Sequence, residues 1–336
     1  MHPQQWRLMP VPFELTAARE RGRAITPQEQ ASYEEAYRSG PALPVDAATD
    51  ALLRVLDEPF ETTPEMVAQY QANGFIHIRQ VLPPVVVDVL AEDIRRHTME
   101  RNPLKGKPME ERATYSKAFI QVGGVWRHGG LSERFSFSRR LAGIAADLMQ
   151  TEGTLLHHDQ ALFKEPGGGY TPWHCDQQYW PLDAESEQQA VSIWVPLQDT
   201  SSEMGPIMFA AGSHQAHDDR FHHLPISDES EESIWEHVRT AGFPVVPLTN
   251  VSLGDVSFHS GWCLHRADGN ATQRFRDAHT MQYVGSKMRW NAAFQGGLLG
   301  HGHAMDFMAP PHQGGSLREA GVPLLFLRDQ STPAKL

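Results

Sequence analysis

Three stretches of the chain read His-x-Asp: His174-Cys175-Asp176, His157-His158-Asp159 and His217-Asp218-Asp219. Two imidazoles and one carboxylate on one face form the ligand set of non-haem Fe(II) sites, which keep further coordination positions open. On a β-strand, residues i and i+2 project to the same side, so one strand can supply two of the three ligands. The chain holds 18 histidines, so this spacing alone does not choose among the three copies. The setting does. His174 and Asp176 follow Gly167-Gly168-Gly169 and Pro172 inside a β-type segment, flanked by Trp173 and Trp180. His157 and Asp159 have no such partner pattern. His217 and Asp219 lie in a polar loop after "GSH" and read as solvated.

A third ligand must come from a distant strand. His265, in "GWCLHRADGN", ends one and lies 89 residues beyond Asp176. Eleven residues further sits Arg276, in a run that alternates again. Its planar fork suits the far carboxylate of a dicarboxylate cosubstrate. His259 and His279 are candidates to face the same cavity or to hydrogen-bond within the core, whereas His214 reads as structural. Trp180 and Gln178, just past Asp176, are the candidate substrate contacts. Cys175 points away from the metal if this segment is a regular strand, and both Cys175 and Cys263 are expected to be free thiols rather than ligands.

These side chains need a rigid frame. After Met149, short β-type runs alternate with turn signals: "TLLHHDQALFK", "TPWHCDQQYW", "AVSIWVPL", "GPIMFAAGSH", "NVSLGDVSFH", "GWCLHRA" and "RDAHTMQYVG". Many short strands at close spacing predict a sandwich or jelly roll. Upstream, Thr63-Pro64 predicts a capped helix start and "GFIHIRQVL" a strand. Pro84 opens a helix with Val86, Val89, Leu90 and Ile94 on one face. Arg139 to Met149 predicts another helix. Residues 95–117 collect seven basic side chains and read as a solvated loop, with a flap over a site as the alternative. Residues 1–62 form an N-terminal arm that wraps the core or touches a second subunit, 63–290 the main domain, and 291–336 an irregular C-terminal cover.

Bulk properties narrow the function. The chain has 29 Lys and Arg against 41 Asp and Glu, a net charge of −12, which argues against nucleic acid or an anionic membrane as a general partner. Two cysteines in 336 residues do not make a disulfide scaffold. Neither a signal segment nor a long apolar run is present, so the expectation is a cytoplasmic protein with a small-molecule substrate.

The combination of "FKEPGGGYTPWHCD", the "W-V-P-L" strand, "MGPIMFAAGSH" and His265 followed by Arg276 resembles the phytanoyl-CoA dioxygenase family over residues 63–290. That resemblance implies a mainly β fold with helical additions around a double-stranded β-helix, a cupin-like jelly roll. It implies Fe(II), 2-oxoglutarate and O₂ as cofactor and cosubstrates, with His174, Asp176 and His265 as the iron ligands. Arg276 matches the position that pairs with 2-oxoglutarate, Trp194 one that lines its pocket, and Gln160 and Gln121 further contacts. Two positions depart from the family pattern: Cys175 replaces a frequent Gln, and Ala267 replaces a small hydroxyl residue. Iron halogenases of the family carry Ala or Gly in place of the carboxylate, so Asp176 implies hydroxylation or a related hydrogen abstraction. Two rivals remain: a non-catalytic metal-binding protein on the same fold, and a jelly-roll metal enzyme without 2-oxoglutarate, which needs neither Arg276 nor Trp194.

Overall fold

The computed structural model describes residues 45–128, 130–183, 189–216, 224–291, 314–318 and 322–328. Most of the expected N-terminal arm, most of the C-terminal cover and the His217/Asp219 pair lie outside these residues. The helices, in chain order, are α1 (Ala47–Leu53), α2 (Pro64–Asn73), α3 (Pro84–Glu100), α4 (Thr114–Ala118), α5 (Gly130–Ser136), α6 (Arg139–Leu148) and α7 (Asp228–Ala241). The strands are β1 (Phe75–Ile78), β2 (Ile120–Gly123), β3 (Gly153–Lys164), β4 (Thr171–His174), β5 (Ala190–Pro196), β6 (Ile207–Ala210), β7 (Val245–Pro247), β8 (Val256–Ser260), β9 (His265–Ala267), β10 (Arg276–Gly285) and β11 (Leu324–Leu327).

The strands form two antiparallel sheets. The major sheet runs β1-β8-β5-β10-β3-β11, with β2 also paired to β3; the minor sheet runs β4-β9-β6-β7. This arrangement is the expected double-stranded β-helix. Local chemistry sets the entry to it. The Thr63 hydroxyl accepts from Met66 N–H, Pro64 occupies the first turn of α2, and Gly74 ends the helix at φ +79°. A side chain at Gly74 would also strike His214, whose Nε2 lies 3.1 Å from the Gln71 carbonyl. His214 is therefore a structural residue that ties the end of β6 to α2.

Each strand of the major sheet divides its side chains between two environments, as the pleat requires. On one face Ala161 and Phe163 of β3, Val191, Ile193 and Val195 of β5, Phe258 of β8, and Met281 and Tyr283 of β10 pack against α3 and α6 in one apolar core. The alternate residues, His158, Gln160 and Leu162, Ser192 and Trp194, His259, and Arg276, Thr280 and Gln282, line a cavity. Burying the first set stabilises the sheet by roughly 1.5–3 kcal/mol for each large side chain. The second set is thereby held on a stiff backbone. A register shift in the β3–β10 pairing leaves His157 as an extra residue on β3, a bulge of the kind that re-aims neighbouring side chains. Among the described residues no helix is long and apolar enough to cross a membrane.

Candidate active site

His174 ends β4 and His265 opens β9, and the two residues face each other in the register of the minor sheet. Their rings lie 4.1 Å apart. Each Nδ1 meets a backbone carbonyl: Pro172 at 2.7 Å for His174 and Cys263 at 3.0 Å for His265. A carbonyl only accepts, so both Nδ1 atoms carry the proton and both Nε2 atoms present lone pairs. Each Nε2 lies 3.6 Å from the same oxygen, Asp176 Oδ1. One donor atom from each of the three residues falls within 4.8 Å of the other two, as a shared metal ion requires.

The expected strand geometry for His174 and Asp176 needs correction. β4 stops at His174, and Asp176 adopts helical dihedrals as the cap of a 3₁₀ turn over Gln177–Tyr179. The two side chains converge because the chain bends at Asp176, not because they alternate along a strand. Cys175 is buried with Trp173, Ile234 and Leu264, and Cys263 with Phe209 and Trp194. Both thiols are free.

Protonation favours metal binding. Burial, with some repulsion from His265, holds His174 down to about 3, and burial holds His265 down to about 4. Burial would raise Asp176, but the surrounding imidazoles, His265 foremost, more than offset it and keep the carboxyl well below its usual range. Neutral imidazoles beside an ionised carboxylate are the forms that ligate metal.

The cavity beside this cluster holds about 830 Å³ of empty space, counting its open mouth. Arg276 lines it, buried and directly opposite Lys164 in the β3–β10 register. Its guanidinium lies 5.6 Å from the Trp194 ring, its Nε is buried without a hydrogen-bond partner, and burial lowers its pKa to about 10. A buried guanidinium lacking a protein acceptor is poised for an anion from outside the chain. Arg274, two residues earlier, is exposed.

Lys164 is committed elsewhere: its Nζ donates to the Gly169 carbonyl at 2.7 Å and reaches the Thr171 hydroxyl at 3.4 Å. Thr171 lines the cavity opposite Ala267. A hydroxyl is therefore present at this level although Ala267 has none. The sequence reading missed it, because only the strand pairing brings Thr171 to that position.

The other expected contacts divide. Gln121 and Gln160 both line the cavity and are bonded to each other at 2.5 Å. Trp180 lines it too, whereas Gln178 is buried away from its wall. His259 faces the cavity, with Nε2 3.3 Å from Asp176 Oδ2. His279 does not; it lies in the core against Asp159. The basic 95–117 stretch is a solvated loop only in its middle, where Lys105 and Lys107 are exposed; Arg95 and Arg96 lie on α3 and Arg112 is buried. Arg95 donates to Asp277 at 2.6 Å, Arg96 to Asp93 at 2.6 Å, and Arg112 pairs with Glu165. These anchors bring α4 over the cavity, where Tyr115 and Phe119 form part of its wall.

A family model described as phytanoyl-CoA dioxygenase (PhyH) matches residues 70–278, more than half of the chain. No curated protein matches. Among solved structures, the chain is similar to SnoK, a non-heme alpha ketoglutarate dependent carbocyclase from nogalamycin biosynthesis. The identity is 22%, covering 80% of this chain and 99% of that one, with a TM-score of 0.62. It is also similar to the epimerase SnoN in complex with Fe3+, alpha ketoglutarate and nogalamycin RO, at 22% identity over 82% and 99% of the two chains, TM-score 0.55. EctD from S. alaskensis in its apoform matches at 20% identity over 71% and 84%, TM-score 0.54. At such identities these likenesses establish the fold alone.

Proposed function

The chain belongs to the phytanoyl-CoA dioxygenase family, and from that premise we propose that it is an Fe(II)- and 2-oxoglutarate-dependent dioxygenase that oxidises a small organic substrate. The unit proposed to carry the reaction is residues 63–290. His174, Asp176 and His265 would hold the iron, and the observation that carries this reading is the convergence of two fixed Nε2 lone pairs on Asp176 Oδ1. Held by these three residues, iron would supply the O₂-activating chemistry by which 2-oxoglutarate would be converted to succinate and CO₂.

The protein's own groups divide the remaining work. Arg276 would take the far carboxylate of 2-oxoglutarate through two parallel hydrogen bonds, with Trp194 packed on the guanidinium. Gln160 and Gln121 brace each other and would contact the cosubstrate. Trp180 would form a substrate wall. The aromatic cover of Tyr115 and Phe119 would limit water at the reacting centre.

Asp176 supports oxygenation over halogenation, because a carboxylate occupies the position that a halide needs. Hydroxylation is the simplest outcome. The similar structures include a carbocyclase and an epimerase, so hydrogen abstraction is the shared core of the proposal.

The test is succinate and CO₂ formation from labelled 2-oxoglutarate with added Fe(II). Turnover is expected in the wild-type protein and none in folded His265→Ala. Full activity in that variant would sink the triad assignment. A jelly-roll enzyme without 2-oxoglutarate would show no cosubstrate turnover at all.

A further inference from the structure

Asp176 has two carboxylate oxygens, and the protein treats them differently. Oδ1 faces both metal-directed Nε2 atoms at 3.6 Å. Oδ2 accepts a hydrogen bond from the Ser192 hydroxyl. His259 Nε2 approaches the same oxygen at 3.3 Å, without the alignment of a full hydrogen bond. Ser192 and His259 stand directly opposite each other in the β5–β8 pairing. The minor sheet and its adjoining turn thus supply the ligands, and the major sheet reaches across to one oxygen of one of them.

This hold answers a need created by the backbone. Asp176 lies past the end of β4 in a short turn, so strand geometry does not set its carboxylate. A carboxylate with both oxygens unengaged can bind a metal through one or both. Binding through both would occupy a further position. Three protein ligands and a chelating 2-oxo acid leave one of six positions for O₂, and a two-oxygen aspartate would fill it. Partners outside the ligand set orient ligands and tune the metal.

We propose that Ser192 and His259 are positioning residues that keep Asp176 a one-oxygen ligand and so hold a coordination position open for O₂. Ser192 is the stronger partner, since its hydroxyl donates directly. His259 supports it from a buried place between His265 and Phe209, with ring centroids 4.5 and 5.2 Å away. The inference rests on the proposed function and assigns these two residues a task within it.

The experiment uses the full chain, loaded anaerobically with Fe(II) and 2-oxoglutarate, and titrates it with nitric oxide as a surrogate for O₂. The readouts are Fe(II) affinity, the visible absorption of the iron–2-oxoglutarate complex, and the electron paramagnetic resonance signal of the nitric oxide adduct. Ser192→Ala should change Fe(II) affinity little but weaken nitric oxide binding by about tenfold or more, the lower end of what one lost charge-assisted hydrogen bond amounts to. Ser192→Thr, which keeps the hydroxyl, should stay near wild type. His259→Leu should shift nitric oxide binding the same way by less.

Unchanged nitric oxide affinity in folded Ser192→Ala and in the Ser192→Ala/His259→Leu double variant would overturn the proposal. So would loss of iron in His259→Leu as complete as in His265→Ala, which would make His259 a ligand. A wild-type protein that forms no iron–2-oxoglutarate complex would instead overturn the proposed function, and this inference with it.

Discussion

Asp159 and Asp176 each sit among histidine and serine, and of these two only Asp176 faces space that a ligand can enter. Asp159 lies on β3, fully buried. Its Oδ2 accepts from Trp126 N–H at 2.9 Å and the Ser136 hydroxyl at 2.6 Å, with His279 Nε2 at 3.3 Å. Because Ser136 donates to Asp159, it accepts from His279 Nε2 at 3.1 Å, so that nitrogen carries the proton. Trp126, Ser136 and His279 each point a hydrogen inward. Around Asp176 the tautomers are reversed: carbonyls take the Nδ1 protons of His174 and His265, and lone pairs converge beside a cavity. The difference teaches that His-x-Asp is a metal motif only where the backbone acceptors behind the rings turn the lone pairs toward open space.

Exchanging each carboxylate for alanine tests this contrast with the largest effects. Asp176→Ala is expected to abolish 2-oxoglutarate decarboxylation and Fe(II) binding while melting near the wild-type temperature. Asp159→Ala is expected to leave two buried donors, Trp126 N–H and the Ser136 hydroxyl, without an acceptor. Each such donor costs about 1–3 kcal/mol, so a loss of roughly 2 kcal/mol or more should appear in chemical denaturation. Residual Asp159→Ala protein that folds should still bind iron. If Asp159→Ala lost iron without losing stability, the two clusters would not be distinct in kind.

Much of this arrangement was legible in the chain itself, for identifiable reasons. The long strands around the site, β3, β5 and β10, carry β-branched and aromatic residues between turn signals. Thr63, Pro64 and Gly74 mark the ends of α2 by local chemistry. The ligand types and Arg276 stood out because charged and imidazole groups recur on otherwise strand-like runs. Other features depend on tertiary context. Nothing in His174-Cys175-Asp176 distinguishes a strand from a bend into a 3₁₀ turn, since both bring the side chains together. The two faces of β3 are both covered, so "HHDQALFK" mixes cavity and core residues without a polar-to-apolar alternation. Helix α7 was missed because its buried apolar contribution is slight, Ile234 and Val238, with Trp235 largely exposed. The contacts of Ser192 and Thr171 exist only through strand pairing.

A smaller effect separates Arg276 from its neighbour. Arg276 is buried in the cavity wall, and Arg274 is exposed at the preceding turn. A charge-assisted pair in a partly buried pocket contributes on the order of 1.5–3 kcal/mol, so Arg276→Ala should raise the KM for 2-oxoglutarate by roughly one to two orders of magnitude. Iron affinity should hardly move, because Arg276 is not among the ligands. Arg274→Ala should do little to either. Decarboxylation rate against 2-oxoglutarate concentration at saturating iron measures both. The opposite pattern would mean that β10 has been read in the wrong register.

Acid provides the finest distinction between a site built for metal and one built only of stacked rings. His174 and His265 are held down to about 3 and about 4, and His97 to about 4, in each case chiefly by burial. In the unfolded chain an imidazole titrates near 6.5, so between about pH 4 and pH 6.5 the unfolded state binds more protons. Stability of the metal-free protein should therefore rise with pH across that window and level off above about pH 7. Metal adds to this by binding the folded state alone. Protons compete for the folded ligands only near their own depressed values. The extra stability conferred by Co(II) should then hold from about pH 8 down to about pH 5 and shrink only towards pH 4. Melting curves with and without Co(II) across this range measure the gain directly. A gain that already decays below about pH 6.5 would show imidazoles titrating as if exposed, and would remove burial as the reason the site is ready for metal.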